Sequence, residues 1–237
     1  MSSTTEPSSP EVKVLNFGVL LIHNYQWLDA AGAIDYLNQH SYGILKLLKA
    51  PPHLLSTVPI MNWHYLSSTG DLKDVPATAG PPHHPTTTFA ECPELDYLVV
   101  PGPDPTVQLS EECIKFVQER FPTLKGLLTI CSGSIAIAQT GVLDGVQAAS
   151  NKWALGMLAE AGLLNRKVKW VGDKRFVKDG KVWTGAGVTA GIDLAAEFAR
   201  VHFTKEVVEL VQDVSEYVPN PAQPDPFARL LEGIKLD

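Results

Sequence analysis

Apolar strands and amphipathic helices alternate along this chain, and no other feature restricts its fold as strongly. The run "VKVLNFGVLLI" (12–22) is almost continuously apolar and rich in β-branched residues, the pattern of a strand covered on both faces. In "DAAGAIDYLNQH" (29–40) the apolar residues recur at helical spacing. "ELDYLVVPG" (94–102) reads as a second buried strand, closed by Pro and Gly. "SEECIKFVQERF" (110–121) opens on a Ser N-cap with an acidic first turn and continues with amphipathic period. "LKGLLTI" (124–130) is a third buried strand, and "SGSIAIAQTGVL" runs on as a helix stopped at Gly141. Such alternation specifies an α/β protein, a mostly parallel sheet sandwiched by helices.

The remainder fits the same layers. "KVKWVG" (167–172) and "RFVKDGKVWTG" (175–185) are short strands, the second with a two-residue hairpin turn at Asp179-Gly180. A long helix is expected over about 190–213, followed by the Pro-punctuated "VPNPAQPDPF" and a short docking helix in "ARLLEGIKL". Residues 41–93 are harder to read, with strand candidates "LLSTVPIMNW" and "HYLSS" before the loop "PATAGPPHHPTTT". Neither a repeat nor a linker divides the chain. Residues 12–237 are therefore expected to form a single domain with a Pro-rich extension from about 218, and residues 1–11 a disordered lead-in.

Composition excludes several functions. A net charge of −7 without a Lys/Arg-dense stripe argues against nucleic acid. No window approaches the ~18 apolar residues of a membrane span. "MSSTTEPSSPE" has neither the basic region nor the apolar run of a signal peptide. The three cysteines are too few for a disulfide framework, which makes a reducing cytoplasm the expected compartment.

Cys131 falls where the third strand passes into its helix. In open parallel sheets reactive groups collect beyond the carboxyl ends of the strands. There the helix N-terminus favours negative charge and hence thiolate. The small neighbours Ser132, Gly133 and Ser134 permit the sharp turn of a nucleophile elbow, although Thr129 stands where the hydrolase pattern has Gly. The alternative is a small buried cysteine with no chemistry. Cys113, inside a helix, and Cys92, in a loop, are expected to be inert.

Four stretches, "LLIHNYQWLDAAGAIDYL", "FAECPELDYLVVPG", "LLTICSGSIAIAQTGVLDGVQAASNKWAL" and "VWTGAGVTAGIDLAAEFA", span about residues 12–215 in one order. Together they resemble the ThiJ/PfpI superfamily, the class I glutamine-amidotransferase-like proteins. The resemblance implies a flavodoxin-like fold, a homodimer and no cofactor. "WLDAAG", "TGAGVTAGID" and the Pro-rich exit resemble the isocyanide hydratase branch most closely. By that resemblance Cys131 is the nucleophile, Asp29 the adjacent acid, and Ser132 replaces the threonine that commonly follows the cysteine. Its substrate would be a small molecule with an electrophilic carbon. An isocyanide hydrated to an N-substituted formamide is the first reading. A 2-oxoaldehyde, or a cysteine that senses oxidants without turnover, are the alternatives.

Two positions depart from the family pattern. "PGPD" retains Gly102, but Pro103 removes an N–H that relatives with "PGG" offer to an oxyanion. "SNKW" places Lys152 where many relatives have histidine, which removes the obvious base for amidase or protease chemistry. Gly102, His23, Trp153 and Lys152 are the candidates for substrate contact, and Asn24 and Trp27 for shaping an apolar pocket. Asp29 has a competing reading as a helix cap. His83-His84 lacks a partner at ligand spacing, so no metal is expected. Gly185, Gly187 and Gly191 do not form a phosphate loop, because position 190 is Ala; they are expected to let the backbone turn tightly.

Overall fold

Residues 13–237 are described by the structure, a computed structural model; the lead-in expected over 1–11 lies outside the described residues. The elements in chain order begin with β1 (Val14–Leu21), α1 (Trp27–Asn38), α2 (Tyr42–Leu47), α3 (Pro52–Leu55) and β2 (Ile60–Ser67). There follow β3 (Tyr97–Val100), α4 (Glu111–Arg120), β4 (Gly126–Ile130) and α5 (Gly133–Ala138). The last third holds β5 (Gln147–Ala148), α6 (Lys152–Glu160), β6 (Lys169–Trp170), β7 (Phe176–Asp179) and β8 (Val182–Gly185), then α7 (Ala190–His202) and α8 (Lys205–Ser215). The main sheet has the order β2-β1-β3-β4-β8-β7, and every pair is parallel except β7 with β8.

The buried strands are predominantly apolar, with Thr129 of β4 and Thr184 of β8 the buried polar residues among them. β3 and β4 are buried at every position, and each large aliphatic side chain so covered contributes roughly 1.5–3 kcal/mol. One face packs on α1 and α7 around Phe17, Leu37, Tyr97 and Phe198. The other packs on α4 and α5 around Leu20, Leu98, Leu127 and Ile137. Ser110 caps α4 by accepting from Cys113 N–H (3.2 Å), and Gly180 turns the β7–β8 hairpin at φ +57°.

Four expectations change. The long helix is two: Phe203 is extended (φ −118°, ψ 162°) and Thr204 starts α8 by accepting from Val207 N–H (3.4 Å). A Thr cap inside an amphipathic run outweighs the periodicity. The strand candidates of 41–93 merge into the edge strand β2, while Leu54 and Leu55 belong to α3 behind Pro52. None of Gly185, Gly187 and Gly191 has positive φ. Gly191 is small because a Cβ there would lie 2.5 Å from Ile130, where α7 meets β4. The C-terminal docking element is a 3₁₀ turn, Ala228–Leu231, with Leu231 and Ile234 packed on Leu155 and Leu158 of α6. No helix among the described residues is long and apolar enough to cross a membrane.

From β1 the chain passes outward to β2 and then across to β3, so the strand order reverses between β1 and β3. Loops leaving neighbouring strands diverge at such a point and open a crevice beyond their carboxyl ends. Register aligns Val100 with Thr129 and Ile130 with Gly185, which places the ends of β3, β4 and β8 side by side.

Candidate active site

Cys131, the first residue past β4, has φ +57°. That region is costly for a side chain and persists only where surrounding contacts impose it. Here the Cys131 N–H donates to Gly185 O (3.0 Å), and its carbonyl accepts from Ser150 Oγ (2.8 Å). Two residues on, a Cβ at Gly133 would collide with the Val100 carbonyl oxygen, so only glycine lets α5 start this close to β3. The strained turn expected from the small residues is present. Ser134 donates to Ala149 O (3.0 Å), tying the start of α5 to the loop after β5.

Asp29 lies in the first turn of α1 but does not cap it. Gln26 is the N-cap residue, and Asp29 Oδ2 accepts instead from the N–H of Gly102, beyond β3, at 2.9 Å. The Gly102 carbonyl accepts from Gln26 N–H (2.8 Å), which rivets the two loops together. A Cβ on Gly102 would lie 2.7 Å from Ser132 Oγ, 2.8 Å from Asp29 Oδ2 and 2.8 Å from Cys131 Cβ. Three candidate side chains thus converge on a residue that must have none. The Ser132 hydroxyl donates to the Pro103 carbonyl, so Pro103, which has no N–H, contributes an acceptor instead.

Asp29 is completely buried. Burial raises its carboxyl from 3.8 to about 7, against the opposing hydrogen bonds from Gly102 N–H and the Cys131 thiol. Its Oδ1 has no N–H or O–H donor among the described residues. The thiol is pushed up to about 12, first by burial and then by the charge of Asp29, with Ser132 and the Asn151 side chain pulling the other way. The expected lowering by the helix terminus is therefore overturned. α5 has only six residues, and its terminal N–H groups offset less than desolvation and the adjacent carboxylate impose. Between about 7 and about 12 the pair holds one proton and one negative charge. Sulfur becomes nucleophilic by passing its proton to Asp29, so the two groups titrate as a unit.

Cys131 opens onto a cavity of about 360 Å³ lined by Gly102, Ser132 and Trp153 together with Asn24, Gln26 and Asn151. His23 is exposed in the turn after β1 and does not line it; the chain turns at Asn24 (φ 56°) and carries the imidazole outward. Lys152 does not line it either. Its Nζ is buried against Asp225 Oδ2 (2.7 Å) and the Lys174 carbonyl, because an ammonium away from water needs a carboxylate. Trp27 lies in another groove, tilted against His83 at 4.8 Å between centroids. His83 contacts Tyr25, and His84 pairs with Asp74 at 2.9 Å. Cys92 and Cys113 are buried, and burial raises both thiols.

Asn151 was not singled out in the sequence: it caps α6, Oδ1 accepting from Ala154 N–H (3.0 Å), and its side chain also reaches the Cys131 sulfur. Nothing in the local pattern marked Asp225, which lies in the Pro-rich segment 73 positions beyond Lys152.

The family model described as the DJ-1/PfpI family matches residues 66–201. An isonitrile hydratase from Pseudomonas putida is 30% identical over 210 residues, covering 87% of this chain and 80% of that protein. A transcriptional regulator of Pseudomonas aeruginosa, HTH-type GbdR, is 24% identical over 85% of this chain, but the chain spans only 50% of that protein's length. A ThiJ/PfpI family protein from Pseudomonas syringae superposes with a TM-score of 0.69 at 24% identity, over 94% of this chain and 84% of that one. The matched span contains Gly102 and Cys131, and the chain belongs to the DJ-1/PfpI family.

Proposed function

We propose that this protein hydrates isocyanides to N-substituted formamides, with Cys131 as nucleophile and Asp29 as proton carrier. The observation that carries the reading is the contact between a buried carboxyl and a thiol on a strained turn, beside an open cavity. The similarity to an isonitrile hydratase supports it.

The chemistry needs one proton in motion. Asp29 accepts the thiol proton as sulfur attacks the terminal isocyanide carbon, and then delivers it to that carbon, leaving a thioimidate on Cys131. Asp29 next draws a proton from water as the water oxygen adds to the same carbon. Asp29 passes that proton to the nitrogen, and as the added hydroxyl collapses to the formyl carbonyl the C–S bond breaks and the hydroxyl proton goes to sulfur. Atoms balance as one isocyanide plus one water. A carboxyl poised near neutrality can do both steps, because it neither holds nor refuses the proton strongly. Among the described residues no histidine lines this cavity, which favours this route over reactions that need an imidazole base.

Formation of N-cyclohexylformamide from cyclohexyl isocyanide, followed by proton NMR, tests the proposal, with methylglyoxal as the competing substrate. Cys131→Ser and Asp29→Asn should each abolish formamide production while leaving the far-UV circular dichroism unchanged. Turnover retained by Cys131→Ser removes the nucleophile; turnover of methylglyoxal alone replaces the reaction with 2-oxoaldehyde hydration. Peroxide-dependent sulfinate at Cys131 with neither turnover would favour the sensor reading, which the raised thiol opposes.

A further inference from the structure

A second cavity of about 240 Å³ adjoins the first and shares Asn151 and Trp153 with it. Its outer wall is the C-terminal segment, which contributes Asp225, Phe227 and Leu230. Large apolar side chains are exposed here: Trp153 (65%), Phe227 (49%) and Leu230 (39%). Clustered exposure of this kind marks a place where something binds.

The charges in the same cavity do not compete for a ligand. Lys152 and Asp225 are paired at 2.7 Å with both side chains only 2% exposed, and Arg175 is held by Asp193 at 2.5 Å. What remains to face a guest is mainly apolar. The segment is also held in place: Asn220 N–H donates to Asp193 (2.8 Å), Arg175 N–H to the Ala222 carbonyl (2.8 Å) and Gln223 to Asp173 (2.8 Å). Asp225 adds a buried latch to Lys152, so the wall carrying Phe227 is built rather than draped.

We propose that this second cavity takes the apolar, ring-sized substituent of the molecule whose electrophilic carbon reacts at Cys131, so that Phe227 and Leu230 set specificity. The proposal rests on the thiol chemistry above for its substrate, and on the Asn151 and Trp153 lining shared by the two cavities for its site. An apolar cavity of about 150 Å³ binds benzene, so about 240 Å³ accommodates a cyclohexyl or benzyl group with room for a short branch.

Two panels separate this proposal from the proposed reaction. The first compares kcat/KM for methyl, cyclohexyl and benzyl isocyanides. The second measures alkylation of Cys131 by N-methyl and N-benzyl chloroacetamide, in which sulfur displaces chloride and the thiol proton leaves to Asp29 or solvent. Wild-type protein should prefer the benzyl over the methyl chloroacetamide by about tenfold or more, the discrimination an apolar pocket supplies. Phe227→Trp and Leu230→Trp, which fill the cavity, should collapse that ratio, and Phe227→Ala should shift the optimum to larger rings.

No isocyanide turnover with a size preference that these variants erase would sink the reaction and leave the subsite standing. Ratios untouched by both Trp variants overturn the subsite, whatever the turnover. A change in sedimentation without a change in ratio would assign the patch to contact between copies and also overturn it.

Discussion

Replacing Asp29 by asparagine keeps the shape of the buried side chain and the acceptor for the Gly102 N–H, but removes its ionisation. In the folded protein this carboxyl holds its proton up to about 7, whereas unfolded it releases it near 3.8. Between those values the unfolded chain has already ionised and the native chain has not, so the native state binds one proton more. Stability then falls as pH rises, by about 1.4 kcal/mol per pH unit, and levels off once the native carboxyl also ionises. Across 3.8 to about 7 this amounts to about 4 kcal/mol of stability present in acid and lost by neutrality. Asp29→Asn carries no such penalty. Urea unfolding followed by tryptophan fluorescence, in steps from pH 4.5 to 8.5, should therefore show the variant gaining on wild type as pH rises. By pH 8 the difference in midpoint should exceed that at pH 4.5 by roughly 1–2 M urea, taking a slope near the upper end for small domains. In a Cys131→Ala background the carboxyl loses the thiol hydrogen bond that lowers it, so the same curve should move to higher pH. A difference independent of pH, or a wild type that gains on the variant between pH 4.5 and 8, would show that Asp29 is not a buried, near-neutral acid.

Three further outcomes follow from the same geometry. Because the pair must lose one of two protons before sulfur can attack, kcat/KM for cyclohexyl isocyanide should rise about tenfold per pH unit below a midpoint near 7 and then level; a flat profile from pH 5 to 8 would contradict this. Gly102→Ala should cost about 1–3 kcal/mol by overpacking, and about a hundredfold or more in kcat by displacing the acid or the thiol, as thermal unfolding and steady-state rates will show. Asp225→Ala should destabilise by about 3–5 kcal/mol by stranding the Lys152 ammonium, while the double variant Lys152→Met/Asp225→Leu recovers most of that loss. Equal losses in the single and double variants would show that the C-terminal wall does not depend on charge pairing.

Much of the architecture was legible because it depends on near neighbours. The apolar stretches within 94–102 and 124–130 became the doubly covered strands β3 and β4, since a strand buried on both faces favours apolar residues at consecutive positions. The run at 190–213 misled, because Thr204 carries a cap signal that helical periodicity masks. The turn at Cys131 was marked by its small neighbours, but its partners were not: Asp29 meets Gly102 across 73 residues of chain. Lys152 departs from the family pattern in the sequence itself, but its carboxylate partner Asp225 lies in a segment that has no periodicity to read.

The charge on the sulfur marks the limit of sequence reading. Periodicity, capping and glycine spacing are local, so the linear chain set the mostly parallel sheet and the residue at the turn, while the order of the strands came from the tertiary structure. Protonation answers to how much water is displaced and which charges are brought near, and those come from loops far apart in sequence. Packing of the loops after β1 and β3 over the end of β4 made Asp29 an acid near neutrality and kept the thiol protonated.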